Sequence, residues 1–175
     1  MFLDESGFLL IPNVARTWAP KGCTPIVRYV YKQDRISAIS ALAMSPRRRR
    51  LALYLHLRTH NLTGLDVRAF LQHLLRHLRG PVVLLWDRGT IHRRREVKQW
   101  ITAHPRLQTE EFPAYAPELN PAEYVWNQAD RALANSAPTD LLQLNGMLRN
   151  SVRRIRGSQK LLWSCIHASD LPWTR

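Results

Sequence analysis

The stretch PVVLLWD, residues 81–87, is an apolar run that ends abruptly in an acid. Its residues 82–86 do not alternate between apolar and polar, which is typical of a strand buried on both faces within a parallel pair. In such sheets, sites form beyond the carboxyl ends of the strands. Asp87 follows this predicted strand directly, so it is well placed to form one wall of a site.

The elements predicted around this run alternate between strands and helices. Strands are predicted over 2–11 (two strands joined by a turn at Ser6-Gly7), 26–31 paired with 35–42 as a hairpin, 51–57, and 106–112. Helices are predicted over 63–79, 93–103, 121–134 and 139–156, with a helical turn near 161–166. This order predicts one α/β domain over residues 1–175, in which an antiparallel meander adjoins parallel strands in a mixed sheet flanked by helices.

Charge is the unusual feature of the composition. The chain has 26 Lys and Arg residues against 13 acids, for a net charge of +13 over 175 residues. Such an excess favours a polyanionic partner, because each phosphate contacted releases condensed counterions. Nucleic acid is therefore the expected partner. A membrane is not expected, because no long basic amphipathic helix and no apolar run of spanning length stands out.

The two cysteines, Cys23 and Cys165, have no metal-type spacing and provide no disulfide framework. Residues 1–8 already contain two acids, which does not fit a signal peptide. We therefore expect reduced thiols and a cytoplasmic protein.

Three acids are candidates for a metal site, and each has a structural alternative. Asp87 begins Asp-Arg-Gly-Thr, a sequence that also suits a plain turn. Glu123 stands three residues after Asn120, so it could complete a capping box at a helix start instead. It would nevertheless point back toward the helix N-terminus and the strand ends. Asp4 competes with Glu5, since neighbouring strand residues face opposite sides.

Together the three acids suit magnesium. Mg²⁺ keeps several waters and takes one or two carboxylates plus phosphate oxygens. A pair of such ions, roughly 3.5–4 Å apart, activates the attacking oxygen and stabilises the leaving one in an in-line displacement at phosphorus. Convergence of Asp4, Asp87 and Glu123 would therefore predict cleavage of DNA.

Three segments resemble the catalytic domain of mariner-like bacterial insertion-sequence transposases, within the DDE transposase and integrase superfamily. They are LDESGF near the start, LLWDRGTIH in the middle and YAPELNPAEYVW further on, and the segment IPNVARTWAPKGCTP is also similar to the family. The similarity covers nearly the whole chain, and the block around LNPAE is quite specific.

The resemblance implies an RNase H-like fold and a metal-binding triad of Asp4, Asp87 and Glu123. It also implies Mg²⁺ or Mn²⁺ as cofactor, two ions being expected. The expected substrate is double-stranded DNA: water hydrolyses a phosphodiester at the element end, and the freed 3′-hydroxyl attacks target DNA. Such an enzyme would work in the bacterial cytoplasm, associated with the nucleoid, and a homodimer is a further expectation.

Two departures from the family keep other functions open. The family usually has Asn after the middle acid, where this chain has Arg88, and we expect the family's upstream helix-turn-helix DNA-reading region to be absent from this chain. The chain could instead be a catalytically silent, basic DNA-binding remnant, or a nuclease without strand transfer. A separate helix-turn-helix protein or domain could supply the missing region.

Five residues near Asp87 are candidates for contacting DNA. They are Arg88, His92, Arg93, Arg94 and Arg95. His92 could touch the substrate or a metal-bound water, although a histidine at this place more often packs at a helix start. The three arginines 93–95 begin a predicted helix near Asp87, which would suit phosphate despite an unfavourable helix-dipole position.

Overall fold

The computed structural model describes residues 1–29 and 31–172, and within them it forms one five-stranded sheet with helices on both faces. The elements in chain order are β1 (Phe2–Leu9), β2 (Arg35–Met44), β3 (Leu51–Arg58), α1 (Gly64–His77), β4 (Val82–Trp86), α2 (Arg95–Thr102), β5 (Leu107–Glu111), α3 (Pro121–Leu133), α4 (Leu141–Arg156) and α5 (Gln159–Ala168). A short 3₁₀ turn, Pro117–Leu119, precedes α3.

The sheet has the order β3-β2-β1-β4-β5 and mixes both pairing directions. β1, β2 and β3 pair antiparallel as a meander, whereas β4 runs parallel to β1 and to β5. The parallel pair β1–β4 is in register at Phe2 and Leu85. This confirms the predicted mixed sheet, and it brings the beginning of the chain beside the end of β4.

Two apolar cores lie on opposite faces of the sheet. One core joins β1 and β2 to α3, α4 and α5, and the other joins the same strands and β4 to α1 and α2. Alternate residues of β1 contribute to different cores: Phe2 and Phe8 face α3, while Leu3 faces α1. The apolar stripe of α4 covers the sheet as predicted, through Leu144, Leu148, Val152 and Ile155.

Two predictions about the first part of the chain were wrong. Residues 2–9 form one strand, because Ser6 and Gly7 pair with Ala38 and Ser37 in the ladder and do not turn. The described residues of 26–31 form no strand. β2 already pairs with β1 on one side and β3 on the other, so no edge of it is free for that segment.

Two further elements differ from their predictions. β4 is buried mainly on the face toward α1 and α2, whereas Val83 on its other face is 46% exposed. Helices α3, α4 and α5 pack beside β1, β2 and β3 and do not cover β4 as completely, which explains the exposure. The helical turn predicted near 161–166 is a full helix, α5, which begins at the Ser158 cap.

A long connection, residues 11–34, joins β1 to β2, and its described residues contain no helix or strand. It carries exposed aromatic side chains, among them Trp18 and Tyr31. Within the described chain, no helix has both the length and the apolarity needed to cross a membrane.

A capping box starts α1. The Thr63 hydroxyl accepts a hydrogen bond from the Asp66 N–H, and the Asp66 carboxylate accepts from the Thr63 N–H at 3.0 Å. Asp66 also pairs with Arg58 at 3.0 Å, tying α1 to the end of β3. Burial raises the pKa of Asp66, but hydrogen bonds from Thr63 and Arg58 outweigh this and lower that pKa to about 2.

Replacing Asp66 by Asn is expected to lower the free energy of unfolding by ~1 kcal/mol at neutral pH, the usual value of a cap. The folded-state pKa lies below the ordinary 3.8, so this stabilisation is present above pH 4 and is lost as the pH falls toward 2. Urea unfolding of wild type and Asp66→Asn at neutral and acid pH measures the difference. A difference that does not shrink in acid would contradict the assignment.

Candidate active site

A cleft of about 480 Å³ opens at the carboxyl end of β4, beside β1 and the start of α3. Asp4, Asp87 and Glu123 all line it. They come from β1, from the residue after β4 and from the first turn of α3, three segments far apart in the sequence. The structure therefore places the three acids predicted from the sequence around one cavity.

Asp4 is the most buried of the three, at 6% exposure. It lies on the face of β1 that packs against α3, and its Oδ2 accepts a 2.8 Å hydrogen bond from the indole N–H of Trp126. Burial, together with the negative charges of Glu123 and Glu5, raises the pKa of Asp4 to about 8. Sequence analysis does not reveal this contact, because a fixed indole orientation leaves no pattern in the sequence.

Asp87 sits in a tight turn directly after β4. Its Oδ1 accepts a 2.8 Å hydrogen bond from the Gly89 N–H, so the turn that was the structural alternative does form. A Cβ at Gly89 would stand 2.9 Å from the same oxygen, so glycine is needed for this close approach. The hydrogen bond from His92 lowers the pKa of Asp87, which keeps it ionised.

His92 is buried between two acids. Its ring stacks on Trp86 with centroids 4.2 Å apart, and its Nε2–H donates to Glu5 at 2.8 Å. Its Nδ1–H donates to the backbone carbonyl of Asp87 at 3.1 Å, and Nδ1 also lies 3.1 Å from Asp87 Oδ1 as an ion pair. Burial lowers the pKa of His92, but the hydrogen bonds with Asp87 and Glu5 outweigh burial and raise it to about 10. The imidazolium therefore links β1 to the turn after β4, and its side chain is only 2% exposed.

Glu5 and Asp4 face opposite sides of β1, as the strand alternation predicts. Glu5 binds His92 on the α1 side of the sheet, whereas Asp4 faces α3 and the cleft. Strand alternation alone could not decide between Asp4 and Glu5, and it is Asp4, the residue implied by the resemblance, that faces the cleft.

Glu123 projects from the first turn of α3. The Asn120 side chain caps the helix by accepting from the Ala122 N–H at 3.1 Å, while the Asn120 N–H donates to the Pro117 carbonyl. Among the described residues the Glu123 carboxylate makes no hydrogen bond, so the capping-box alternative does not form. Burial, and then the charge of Asp87, raise the pKa of Glu123.

Asn120 also fixes α3 to the sheet. Its side-chain amide donates a 3.2 Å hydrogen bond to the carbonyl of Leu3, one residue before Asp4. The residue is 3% exposed, so both ends of its amide are used inside the protein. This contact sets the start of α3 against β1 and so sets the position of Glu123 relative to Asp4.

The four arginines that were candidates for contacting DNA are all exposed. Arg88 lines the cleft, but its Nε lies 3.5 Å from Glu111 on β5, and Arg93 shares the same carboxylate at 3.4 Å. Arg94 is the residue before α2 and Arg95 its first residue. Glu111 therefore pairs with both Arg88, which lines the cleft, and Arg93.

The chemistry of the donors suits a hard divalent cation. Three carboxylates face one cleft, and no cationic side chain among the described residues pairs with Asp4 or Glu123. The ligand atoms of Glu5, Asp87 and His92 lie closer together, all within 4.8 Å. That group already forms direct hydrogen bonds around a buried imidazolium, which has no free nitrogen for a metal, so we favour the cleft triad as the metal-binding set.

A family model described as "DDE superfamily endonuclease" matches residues 1–144. None of the curated proteins matches the sequence significantly.

Similar solved structures include the Mos1 transposase paired-end complex with left transposon end, at a TM-score of 0.69 and 17% identity, covering 94% of this chain and 50% of that one. The Mos1 strand transfer complex has a TM-score of 0.67 and 16% identity, covering 94% of this chain and 49% of that one. The mariner Mos1 paired-end complex with Mg has a TM-score of 0.68 and 17% identity, covering 94% of this chain and 50% of that one. These likenesses establish the RNase H-like fold, and the chain spans about half the length of those proteins.

Replacing Asp4 by Asn is expected to stabilise the metal-free protein at pH 8. The folded-state pKa of Asp4 lies far above the ordinary 3.8, so its contribution to stability is present in acid and is lost as the pH rises toward 8. At pH 8 in EDTA, the free energy of unfolding of the variant should be higher than that of wild type by ~1–3 kcal/mol, which is the cost of one poorly hydrogen-bonded buried group. The two should differ less at pH 5, and excess Mg²⁺ should stabilise wild type more than the variant. Urea unfolding checks all three; equal curves for both proteins at pH 8 would contradict the burial of charge at Asp4.

Replacing His92 by Phe is expected to lower the free energy of unfolding by ~3 kcal/mol, because it leaves Glu5 partly buried without its partner. The matched control is Glu5→Leu, alone and combined with His92→Phe. The double variant should recover at least ~1 kcal/mol relative to the sum of the single ones, as contacting residues do. Additive losses in denaturant unfolding would show that the two side chains do not interact.

Proposed function

We propose that this chain is the catalytic domain of a divalent-metal-dependent DNA transposase. The chain belongs to the DDE superfamily endonuclease family. It hydrolyses a phosphodiester at the end of a mobile element and transfers the freed 3′-hydroxyl into target DNA. The observation that carries the proposal is the cleft lined by Asp4, Asp87 and Glu123, in which a buried carboxylate lies beside two others.

The proposed cofactor is Mg²⁺, or Mn²⁺, bound as two ions by Asp4, Asp87 and Glu123. When bound, the ions activate the attacking oxygen and stabilise the leaving oxygen at phosphorus. Burial, and then repulsion between the carboxylates, raise the pKa values of Asp4 and Glu123, and a cation there would offset both effects.

The protein's own residues hold the ligands in place. Trp126 orients Asp4 through its indole N–H, and His92 together with the Gly89 N–H orients Asp87. Asn120 seats the start of α3, and with it Glu123, on β1. Reaction rates depend on such positioning, since small misplacements of a ligand reduce the rate steeply.

DNA is the proposed substrate, recognised first through its phosphates. The net charge of +13 supplies the general attraction. Arg88, which lines the cleft, and Arg93 share the Glu111 carboxylate, and both are proposed to contact phosphate. Arg94 and Arg95 are exposed next to Arg93 in the chain and are proposed to do the same. His92 is buried and acts on Asp87, so we assign it no contact with DNA.

The finer assignments belong to the same proposal. Element ends and target are both taken as duplex DNA, read for sequence by a helix-turn-helix region in another domain or protein. A second copy of the chain would bind the second end of the mobile element. The proposed place of action is the bacterial cytoplasm, near the nucleoid.

A catalytically silent protein is the weaker alternative. Arg88 is one of the departures from the family that suggested it, but Arg88 pairs with Glu111 on β5 and not with an acid of the triad. The cation beside the cleft therefore does not neutralise the ligands.

Cleavage of labelled duplex DNA in Mg²⁺ or Mn²⁺ tests the proposal. Wild type is expected to cut, and Asp87→Asn and Glu123→Gln to lose at least ~10³-fold in rate, because each removes a ligand charge at the reacting phosphate. Both variants should still bind DNA. Glu118→Gln, a nearby acid in the loop before α3, is the matched control and should cut normally.

The products separate the alternatives. Joined products in which a 3′ end is linked to a second duplex support the transposase. Cutting without joining supports a nuclease without strand transfer. Salt-sensitive DNA binding without any cutting, at every Mg²⁺ or Mn²⁺ concentration tested, would contradict the proposal that the protein is an enzyme.

A further inference from the structure

The loop from Phe112 to Pro117, between β5 and the 3₁₀ turn before α3, forms one wall of the candidate active-site cleft. It is anchored at its start: the Phe112 N–H donates to the Trp86 carbonyl at 2.8 Å, and the buried Phe112 ring stacks on Phe2. Pro113 and Pro117 restrict the backbone on both sides. The loop is therefore a fixed feature of the cleft and not a tail beside it.

Tyr115 stands at the tip of this loop in an unfavourable conformation. Its φ is 58°, in the left-handed region that is rare for large side chains. The residue is fully exposed, and it makes no hydrogen bond, ion pair or ring contact with any other described residue. Strain of this kind is found at functional sites, where the conformation presents a side chain to a ligand.

The ligand is restricted by what else lines the cleft. Asp4, Asp87 and Glu123 are the groups proposed to hold metal ions on a phosphodiester, so the neighbouring group of a DNA substrate is a sugar or a base. A phenol ring with both faces free offers a flat surface for a base, whatever its identity. A base inside a duplex has no free face, and only an unstacked base can use this surface.

We infer that Tyr115 is a stacking site for an unpaired nucleobase next to the phosphodiester that reacts in the cleft. The inference rests on the proposed function for the identity of its ligand. It adds a substrate contact that no carboxylate or arginine of the site provides. Other exposed aromatic side chains, Trp18 and Tyr31, lie in the 11–34 connection and do not line the cleft.

Fluorescence titration with a single-stranded oligonucleotide carrying 2-aminopurine, in Mg²⁺, measures stacking directly. Tyr115→Ser is expected to weaken this binding by about 5- to 150-fold, the range for loss of one aromatic–base contact, and to abolish the quenching. Tyr115→Phe keeps the ring and should stay within about twofold of wild type. A blunt duplex of the same sequence should bind all variants equally, because its bases are stacked.

Tyr31→Ser is the matched control, since it removes an exposed aromatic ring outside the cleft and should leave single-strand binding within about twofold. Equal losses for Tyr31→Ser and Tyr115→Ser, or no loss for either, would overturn the inference. The Tm gives an independent test. Tyr115→Asn tolerates positive φ and should not lower the Tm, whereas a fall would show that the ring packs on the protein.

The two proposals fail in different ways. Tyr115-dependent stacking in a protein that never cuts DNA would remove the transposase assignment and leave the nucleobase site. Cutting that is unaffected by Tyr115→Ser, together with unchanged single-strand binding, would remove the nucleobase site and leave the transposase.

Discussion

The negative charge of Asp4 is the constraint on which the site depends. A carboxylate at 6% exposure has lost most of its water, and within residues 1–29 and 31–172 its one hydrogen-bond donor is an indole N–H. Two further carboxylates line the same cleft, so charge accumulates where solvent is scarce. Burying such groups without a counter-ion is costly, and proteins that do so generally bind a cation or hold a proton there. Without a metal ion, this cost appears as the raised pKa of Asp4.

The rest of the fold fixes these charges at one place. β1 carries Asp4 toward α3 and Glu5 toward the opposite face, where His92 and Trp86 form a buried stack. His92 connects the two sites, because it pairs with Glu5 on one face of the sheet and with Asp87 at the end of β4. The contact with Glu5 therefore helps to fix the position of Asp87. The cleft is therefore supported from the face of the sheet that lies away from it.

The sequence predicted the mixed sheet and most of its elements, because those features leave local patterns, whereas the assignment of Asp4, Asp87 and Glu123 as a triad came from the family resemblance. Apolar runs ending in acid and an Asn-Pro helix start can be read without tertiary structure. The predicted turn at Ser6-Gly7 was wrong, because both residues pair with β2 and β1 therefore continues as an extended strand through Gly7. The partners of the acids could not be read: the choice between Asp4 and Glu5, and the contacts of Trp126 and His92, depend on which faces meet across 80 or more residues of chain.

The parallel register of Phe2 with Leu85 and the bond from Asn120 to Leu3 have a consequence for the order of folding. Each closes a long loop, and such contacts form late because the chain entropy lost on closure is recovered only when the surrounding structure packs. During synthesis Asp4 emerges long before β4 and α3, so its site is completed only after α3 has been made. The three acids therefore form no assembled site during synthesis until the sheet is complete.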